Sequence, residues 1–169
     1  MKLILAFLVR NCVWVVIIGI ISGVVISLIP ATAFTPRKHS VYNDFKFEQQ
    51  GRFYEKHFKI SKWKDKLPQF SEITHKGFSK GNLKGIDESY LSRFYLETVR
   101  AEFCHKLLIL ISPVFRLINE GSEAGIFATL LFAAGNIPFI MIQRYNRPRI
   151  KRIMLREGYK NRTKNKFVD

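Results

Sequence analysis

The chain has 169 residues, the size of a single domain, and carries 28 Lys+Arg against 13 Asp+Glu, a formal net charge of +15. Hydrophobic residues still reach 47%, and they stand in blocks; this excludes intrinsic disorder and points to membrane segments separated by basic, water-exposed stretches. With only two cysteines, one of them (Cys12) inside an apolar block, a disulfide scaffold is excluded, and the ligands for a Cys/His zinc finger are lacking.

Residues 12–29 form eighteen positions without a charge, about 27 Å of helix and close to the hydrocarbon thickness of a bilayer. The apolar character reaches back through residues 3–9 and is interrupted by Arg10 and Asn11; Pro30 is a natural stop. A rival reading takes Lys2, the apolar run and Ala31-Thr32-Ala33 as a cleaved secretory signal, but the block is long for that purpose.

Residues 36–83 interleave aromatics with lysine. Phe47, Gly51, Tyr54 and Phe58 recur at helical spacing, with Phe53, His57 and Ile60 beside them. This pattern predicts a helix lying in the membrane surface, or else a small soluble subdomain built on those aromatics. Residues 77–85, Gly-Phe-Ser-Lys-Gly-Asn-Leu-Lys-Gly, lack phosphate-loop spacing and read as a surface loop.

Asp87 is placed to cap a helix in which Tyr90, Leu91, Phe94, Tyr95 and Thr98 share a stripe. That helix is expected to run through Arg100 and His105 into a third apolar block, residues 107–118, which is too short to span alone and contains Pro113 and Arg116. The brief connection over residues 119–124 suits two antiparallel helices. Residues 125–142 are a second uncharged eighteen-residue block, with Gly135, Asn136 and Pro138 in its last third as a kink or a local opening. Pro148 is expected to end or bend the helix beyond it.

The predicted fold is therefore mostly α: a small integral membrane protein with two to three transmembrane helices and a membrane-associated, basic and aromatic cytoplasmic region. Its parts are an N-terminal transmembrane segment (1–33), a membrane-surface region (34–86), a long helix with a transmembrane hairpin (87–142) and a basic cytoplasmic tail (143–169). The tail holds ten Lys/Arg and two acids, residues 34–106 hold fifteen and nine, and the 119–124 loop holds two acids and no base. The positive-inside bias puts both basic regions in the cytoplasm and the acidic loop outside, in a multi-pass cell-membrane protein. Basic residues beside a membrane span read more simply as contacts to anionic lipid than to RNA, so no nucleic-acid partner is expected.

Two polar constellations carry the candidate chemistry. Glu97-Thr98-Val99-Arg100-Ala101-Glu102-Phe103-Cys104-His105 puts Glu102 and His105 on one helix face, with His105 angularly between Glu97 and Glu102. A carboxylate orienting a histidine is a frame for general-base chemistry, and Glu102 or Glu97 would be the orienting group; as surface charges they would mean nothing. Metal binding would need a second E-x-x-H, which is absent. Gln143-Arg144-Tyr145-Asn146-Arg147-Pro148-Arg149 gathers three arginines suited to bidentate binding of phosphate or carboxylate, or to a plain stop-transfer patch. A soluble thioester donor and an amphiphilic acceptor would meet at one membrane face, which suits acyl transfer among other lipid reactions.

At these residues the sequence resembles the glycosyl-4,4′-diaponeurosporenoate acyltransferase family of staphyloxanthin biosynthesis. The resemblance rests on Phe47-Glu48-x-x-Gly51-Arg52-Phe53-Tyr54-x-Lys56-x-Phe58 with Lys62-Trp63-Lys64-x-Lys66, on Glu97-Thr98-x-Arg100-Ala101-Glu102-x-x-His105, and on Asn136-Ile137-Pro138 followed by the run from Gln143 to Arg149, together about residues 45 to 150. It implies a small membrane acyltransferase that esterifies a sugar hydroxyl of a glycosylated C30 carotenoid acid with a fatty acyl chain. His57 stands where the family has an aromatic residue, and the N-terminal span matches in hydrophobicity alone. The expected mechanism has His105 as general base, with cationic or amide donors stabilising the oxyanion. Arg144, Arg147 and Arg149 would hold the donor's phosphates. Arg100, Lys62, Trp63, Lys64, Asn136, Gln143, Tyr145 and Asn146 would complete the substrate-binding set. No cofactor is expected beyond acyl-CoA, or another activated donor, as substrate. The alternatives are a non-enzymatic scaffold or anionic-lipid-binding protein, and an acyltransferase for another glycolipid.

Overall fold

In the computed structural model, residues 2–34, 43–67 and 88–165 are described. The expectations for the loop at 77–85 and for Asp87 as a cap lie outside them. The described residues form helices and helical turns: α1 (Lys2–Leu28), a turn at Ala31–Phe34, turns at Lys46–Gly51, α2 (Arg52–Phe58), turns at Ile60–Lys62 and Lys64–Lys66, α3 (Glu88–Ile111), α4 (Val114–Ile118) and α5 (Glu123–Asn165). Two of them, α1 and the Glu123–Arg156 stretch of α5, are long and apolar enough to cross a membrane. The chain divides into two units, Met1–Thr35 with Arg100–Met141, and Pro36–Val99 with Ile142–Asp169.

In the first unit, α1 continues through Arg10 and Asn11 without a break. Its buried residues, Ile18, Ser22 and Ile26, recur every fourth position and make one inward stripe; most of its other apolar side chains are exposed. Ile18 packs with Leu108, Phe115 and Ala128, and Phe7, Ile111, Val114 and Phe132 close around them. Where lipid replaces water outside such a unit, apolar burial gives little net drive, and close packing and hydrogen bonds hold the helices. The polar link here is Asn119, only 3% exposed. Its Oδ1 accepts from Arg10 Nη2 at 2.6 Å and from Asn11 Nδ2 at 3.2 Å, while its Nδ2 donates to Asn11 Oδ1 at 2.9 Å and to the Phe115 carbonyl at 2.7 Å. These partners explain why a charge and an amide are tolerated inside α1.

The block at 107–118 is split. Helix α3 ends at Ile111, ahead of Pro113, whose ring disfavours helical geometry at Ser112. The short α4 closes with Glu120 and Gly121 in left-handed conformation (φ 56° and 73°). Gly121 N–H donates to the Arg116 carbonyl at 2.8 Å and Glu120 N–H to the Leu117 carbonyl at 3.0 Å, a Schellman closure. Ser122 Oγ then accepts from Gly125 N–H at 3.3 Å and starts α5.

The second unit corrects the expected aromatic helix. Gln49, Gln50 and Gly51 are left-handed (φ 47°, 57° and 88°), and Lys59 (φ 48°) stops α2 after seven residues. The stripe is thus broken in two: Tyr54 turns inward, whereas Phe47 and Phe58 are exposed and meet Phe53 edge-on at 5.3 and 6.1 Å. Helix α5 also runs past Pro148 to Asn165. Proline forfeits one backbone bond, and the long-range contacts made by Arg144 and Arg147 before it and by Arg152 after it hold the helix in place on both sides.

Candidate active site

In the first unit the histidine of the E-x-x-H pair is met by an amide. His105 Nδ1 lies 2.8 Å from Asn136 Oδ1, and Asn136 Nδ2 donates to the Phe132 carbonyl at 2.8 Å. The imidazole stacks on Phe139, with centroids 4.6 Å apart and planes 10° from parallel. Phe132, Asn136 and Phe139 are spaced i, i+4, i+7, so one face of α5 supplies the carbonyl, the amide and the ring. Asn136 is 7% exposed.

Glu102, expected to orient His105, is fully buried and forms an ion pair with Lys106 at 2.5 Å. Its i, i+4 partner competes for the carboxylate, and Asn136 occupies the place at His105 Nδ1 that a carboxylate was expected to take. Glu97 is exposed and belongs to the other unit. Arg100 stacks its guanidinium 5.3 Å from the centroid of Phe34 and reaches the Ile29 carbonyl at 3.4 Å; Phe34 in turn meets Phe103 edge-on at 5.6 Å. Cys104 is a free thiol, half-buried against the apolar cluster.

In the second unit the arginine run is placed differently from the expectation. Arg144 is buried and grips Glu48 with two nitrogens, Nε closely and Nη2 at 3.0 Å; it also donates to the Asn43 carbonyl at 3.1 Å and lies over the Phe45 ring. Arg147, 1% exposed, donates to Thr98 Oγ1 at 3.2 Å and to the Thr98 carbonyl at 3.1 Å. Arg149 donates to the Tyr145 carbonyl at 2.7 Å with its guanidinium 3.4 Å from the centroid of the Tyr145 ring. Both Arg144 and Arg147 are buried and engaged internally, so a donor's phosphate would have to displace those partners. Tyr145 is buried and hydrogen-bonds to Glu55, and Gln143 and Asn146 are half-buried. Lys62 is exposed, Lys64 pairs with Asp65 at 2.7 Å, and Trp63 Nε1 donates to the Phe58 carbonyl at 2.8 Å.

Glu48 and Tyr54 are the partners that sequence reasoning missed. Four donors converge on the Glu48 carboxylate: Arg144 Nε and Nη2, Tyr54 O–H at 2.5 Å and Phe45 N–H at 2.7 Å. Burial acts to raise the pKa of Glu48, but the hydrogen bonds from Arg144, Tyr54 and Phe45 outweigh it and hold the carboxyl below its ordinary value. For Tyr54, burial and the bond to that carboxylate both push the phenol pKa up. Gly51 sits against the same helix: a Cβ there would lie 2.8 Å from Arg149 Nη1 and 3.1 Å from the Tyr145 carbonyl.

Helices long and apolar enough for a bilayer, with a half-buried histidine held by a buried amide in one unit and a locked acid–arginine pair in the other, define a helical membrane protein with a candidate acid–base site. A family model described as glycosyl-4,4′-diaponeurosporenoate acyltransferase matches residues 38–156. Relatives of that name from Staphylococcus aureus strain bovine RF122 / ET3-1 and strain N315 are each 33% identical over 126 residues, covering 72% of this chain and 74% of theirs. The chain belongs to the glycosyl-4,4′-diaponeurosporenoate acyltransferase family and is an acyltransferase. No solved structure matches it.

Proposed function

We propose that the protein esterifies a sugar hydroxyl of glycosyl-4,4′-diaponeurosporenoate with a fatty acyl chain taken from a thioester such as acyl-CoA, the final step of staphyloxanthin-type carotenoid synthesis. The observation that carries this reading is the family match over residues 38–156, which includes both His105 and Asn136. His105 Nε2 takes the proton of the sugar hydroxyl as its oxygen attacks the thioester carbonyl. A C–O bond forms and the C–S bond breaks; the sulfur leaves with the electron pair and receives the proton from His105. Positioned general bases contribute about 10²–10⁴-fold, so His105→Ala should lower turnover by that factor while membrane insertion is unchanged. The assay supplies acyl-CoA and the glycosylated carotenoid acid to membranes containing the protein and reads the ester by mass spectrometry. Wild-type-like turnover by His105→Ala would discard the base; absence of ester from inserted wild type would move the reading to another glycolipid acceptor first and to a scaffold second.

The proposed topology has three crossings, with the N-terminus outside and both basic regions in the cytoplasm. Two contacts within the first unit support it. Arg10 and Asn11 on α1 meet Asn119, and Ile29, eighteen residues further along, meets Arg100. Residues 100–118 therefore run beside the same ~27 Å of α1, which suits a crossing made of the end of α3 and all of α4. In a cysteine-free background, Ser122→Cys should be labelled by an impermeant maleimide from outside and Thr163→Cys from inside. Labelling of both from one side would exclude this arrangement.

A further inference from the structure

We infer that Asn136 is a positioning residue that fixes which nitrogen of His105 carries the proton, an inference that rests on the proposed role of His105 as base. The assignment follows from what each atom can do. Asn136 Nδ2 faces the Phe132 carbonyl at 2.8 Å, and a carbonyl oxygen only accepts. The amide is therefore oriented with its NH₂ toward Phe132 and its oxygen toward His105. That oxygen also only accepts, so the hydrogen in the 2.8 Å contact belongs to His105 Nδ1. The neutral ring is then protonated at Nδ1, and Nε2 keeps the lone pair that a general base needs. The other tautomer would set two lone pairs against each other across this contact.

The ring plane is fixed by a second, independent contact. Phe139 lies parallel to the imidazole at 4.6 Å, so rotation about χ2 would lose both the stack and the hydrogen bond. A carboxylate takes the orienting place in many hydrolytic triads, and an amide takes it in others. Here the carboxylate nearest along the helix, Glu102, is engaged with Lys106 on the same helix. On α5 the groups against the ring, Asn136 and Phe139, carry no charge, so no formal charge sits in the orienting position.

The test uses the full-length protein in lipid nanodiscs, with kcat/KM followed against pH for wild type, Asn136→Asp, Asn136→Leu and His105→Ala. A carboxylate at 136 can still accept from Nδ1–H and favours the imidazolium, so Asn136→Asp should retain turnover within about tenfold of wild type and move the acid limb up by about 1 pH unit or more. Asn136→Leu, which has no acceptor, should lose about 10–10³-fold. In parallel, ¹⁵N shifts of the labelled His105 ring should show Nδ1 protonated in the neutral wild type and a mixture of tautomers in Asn136→Leu. This readout stands even if a variant is inactive. Protonation of the wild-type ring at Nε2, or an acid limb unmoved in an active Asn136→Asp, would overturn the inference. Full turnover by His105→Ala would instead remove the catalytic reading on which it rests, and the two failures are distinguishable.

Discussion

Replacing Glu48 by glutamine tests whether the arginine run is a lock or a phosphate clamp. Glutamine keeps the shape but offers one oxygen to the four donors that now converge on the carboxylate, and it turns an NH₂ toward a guanidinium. Breaking a buried ion pair by removing one partner costs about 3–5 kcal/mol, because the remaining charge stays buried. Glu48 is 2% and Arg144 6% exposed, so the upper part of that range applies with little screening by solvent. Adding Arg144→Met removes the stranded charge and fills the space of the arginine stem, while the glutamine oxygen still accepts from the Phe45 amide and its NH₂ can donate to the Tyr54 oxygen. The double variant should therefore recover about 2 kcal/mol relative to Glu48→Gln alone. Thermal unfolding in detergent gives the stabilities, and steady-state kinetics give KM for the acyl donor. If Arg144 is a lock, KM returns toward wild type in the double variant as stability returns. A Glu48→Gln protein within about 1 kcal/mol of wild type, or a double variant whose donor KM remains high after stability is regained, would refute the reasoning and restore the phosphate role.

The same carboxylate sets a pH dependence. Its folded pKa lies below the ordinary 4.5, so its contribution is complete at pH values above the unfolded value of about 4.3 and is lost as pH falls through the lower folded value. Melting temperature should fall more steeply for wild type than for Glu48→Gln below about pH 4.3, and parallel curves would count against the assignment. Gly51→Ala combines a left-handed backbone (φ 88°) with a Cβ 2.8 Å from Arg149 Nη1 and 3.1 Å from the Tyr145 carbonyl, and should cost about 2–4 kcal/mol as strain and overpacking add. Gly121→Ala, at φ 73° with nothing within 4 Å, should cost only the strain, about 1–2 kcal/mol; equal losses at the two glycines would remove the packing argument.

The long-range frame was legible because its signals are local. Helical periodicity from Tyr90 through His105 and the short polar link near 120 place the body of α3 and the start of α5 where the structure has them, whereas the break before Pro113 divides a block expected to continue α3. The aromatic stripe at Phe47, Tyr54 and Phe58 does not form one helix because Gln49, Gln50 and Lys59 adopt left-handed backbone, and nothing in a glutamine or a lysine announces that conformation. The internal partners of the arginine run are hidden for another reason. An arginine bound for solvent and one bound for a buried carboxylate look alike in sequence, and the partner of Arg144 stands 96 residues away. For His105 the reading favoured acids within one turn, whereas the amide that meets it lies 31 residues on, across the hairpin.

The two polar pairs follow one physical rule about where a charge can be kept. In the second unit Glu48 and Arg144 neutralise each other, and Tyr54 and the Phe45 amide satisfy the remaining acceptor capacity. In the first unit the residue facing His105 stands in an apolar stretch of α5 long enough to cross a bilayer. An aspartate costs about 2.5–3.5 kcal/mol at the centre of a membrane helix and less toward its end, while an amide can fix the imidazole without a formal charge. The neutral partner has a chemical consequence: the imidazolium formed during proton transfer receives less stabilisation than beside a carboxylate. A base of that kind is best matched to an acyl donor whose leaving group departs easily, and the thiol of the proposed thioester, with a pKa near 8.5 for a cysteine-like sulfur, meets that requirement far better than an alcohol or an amine.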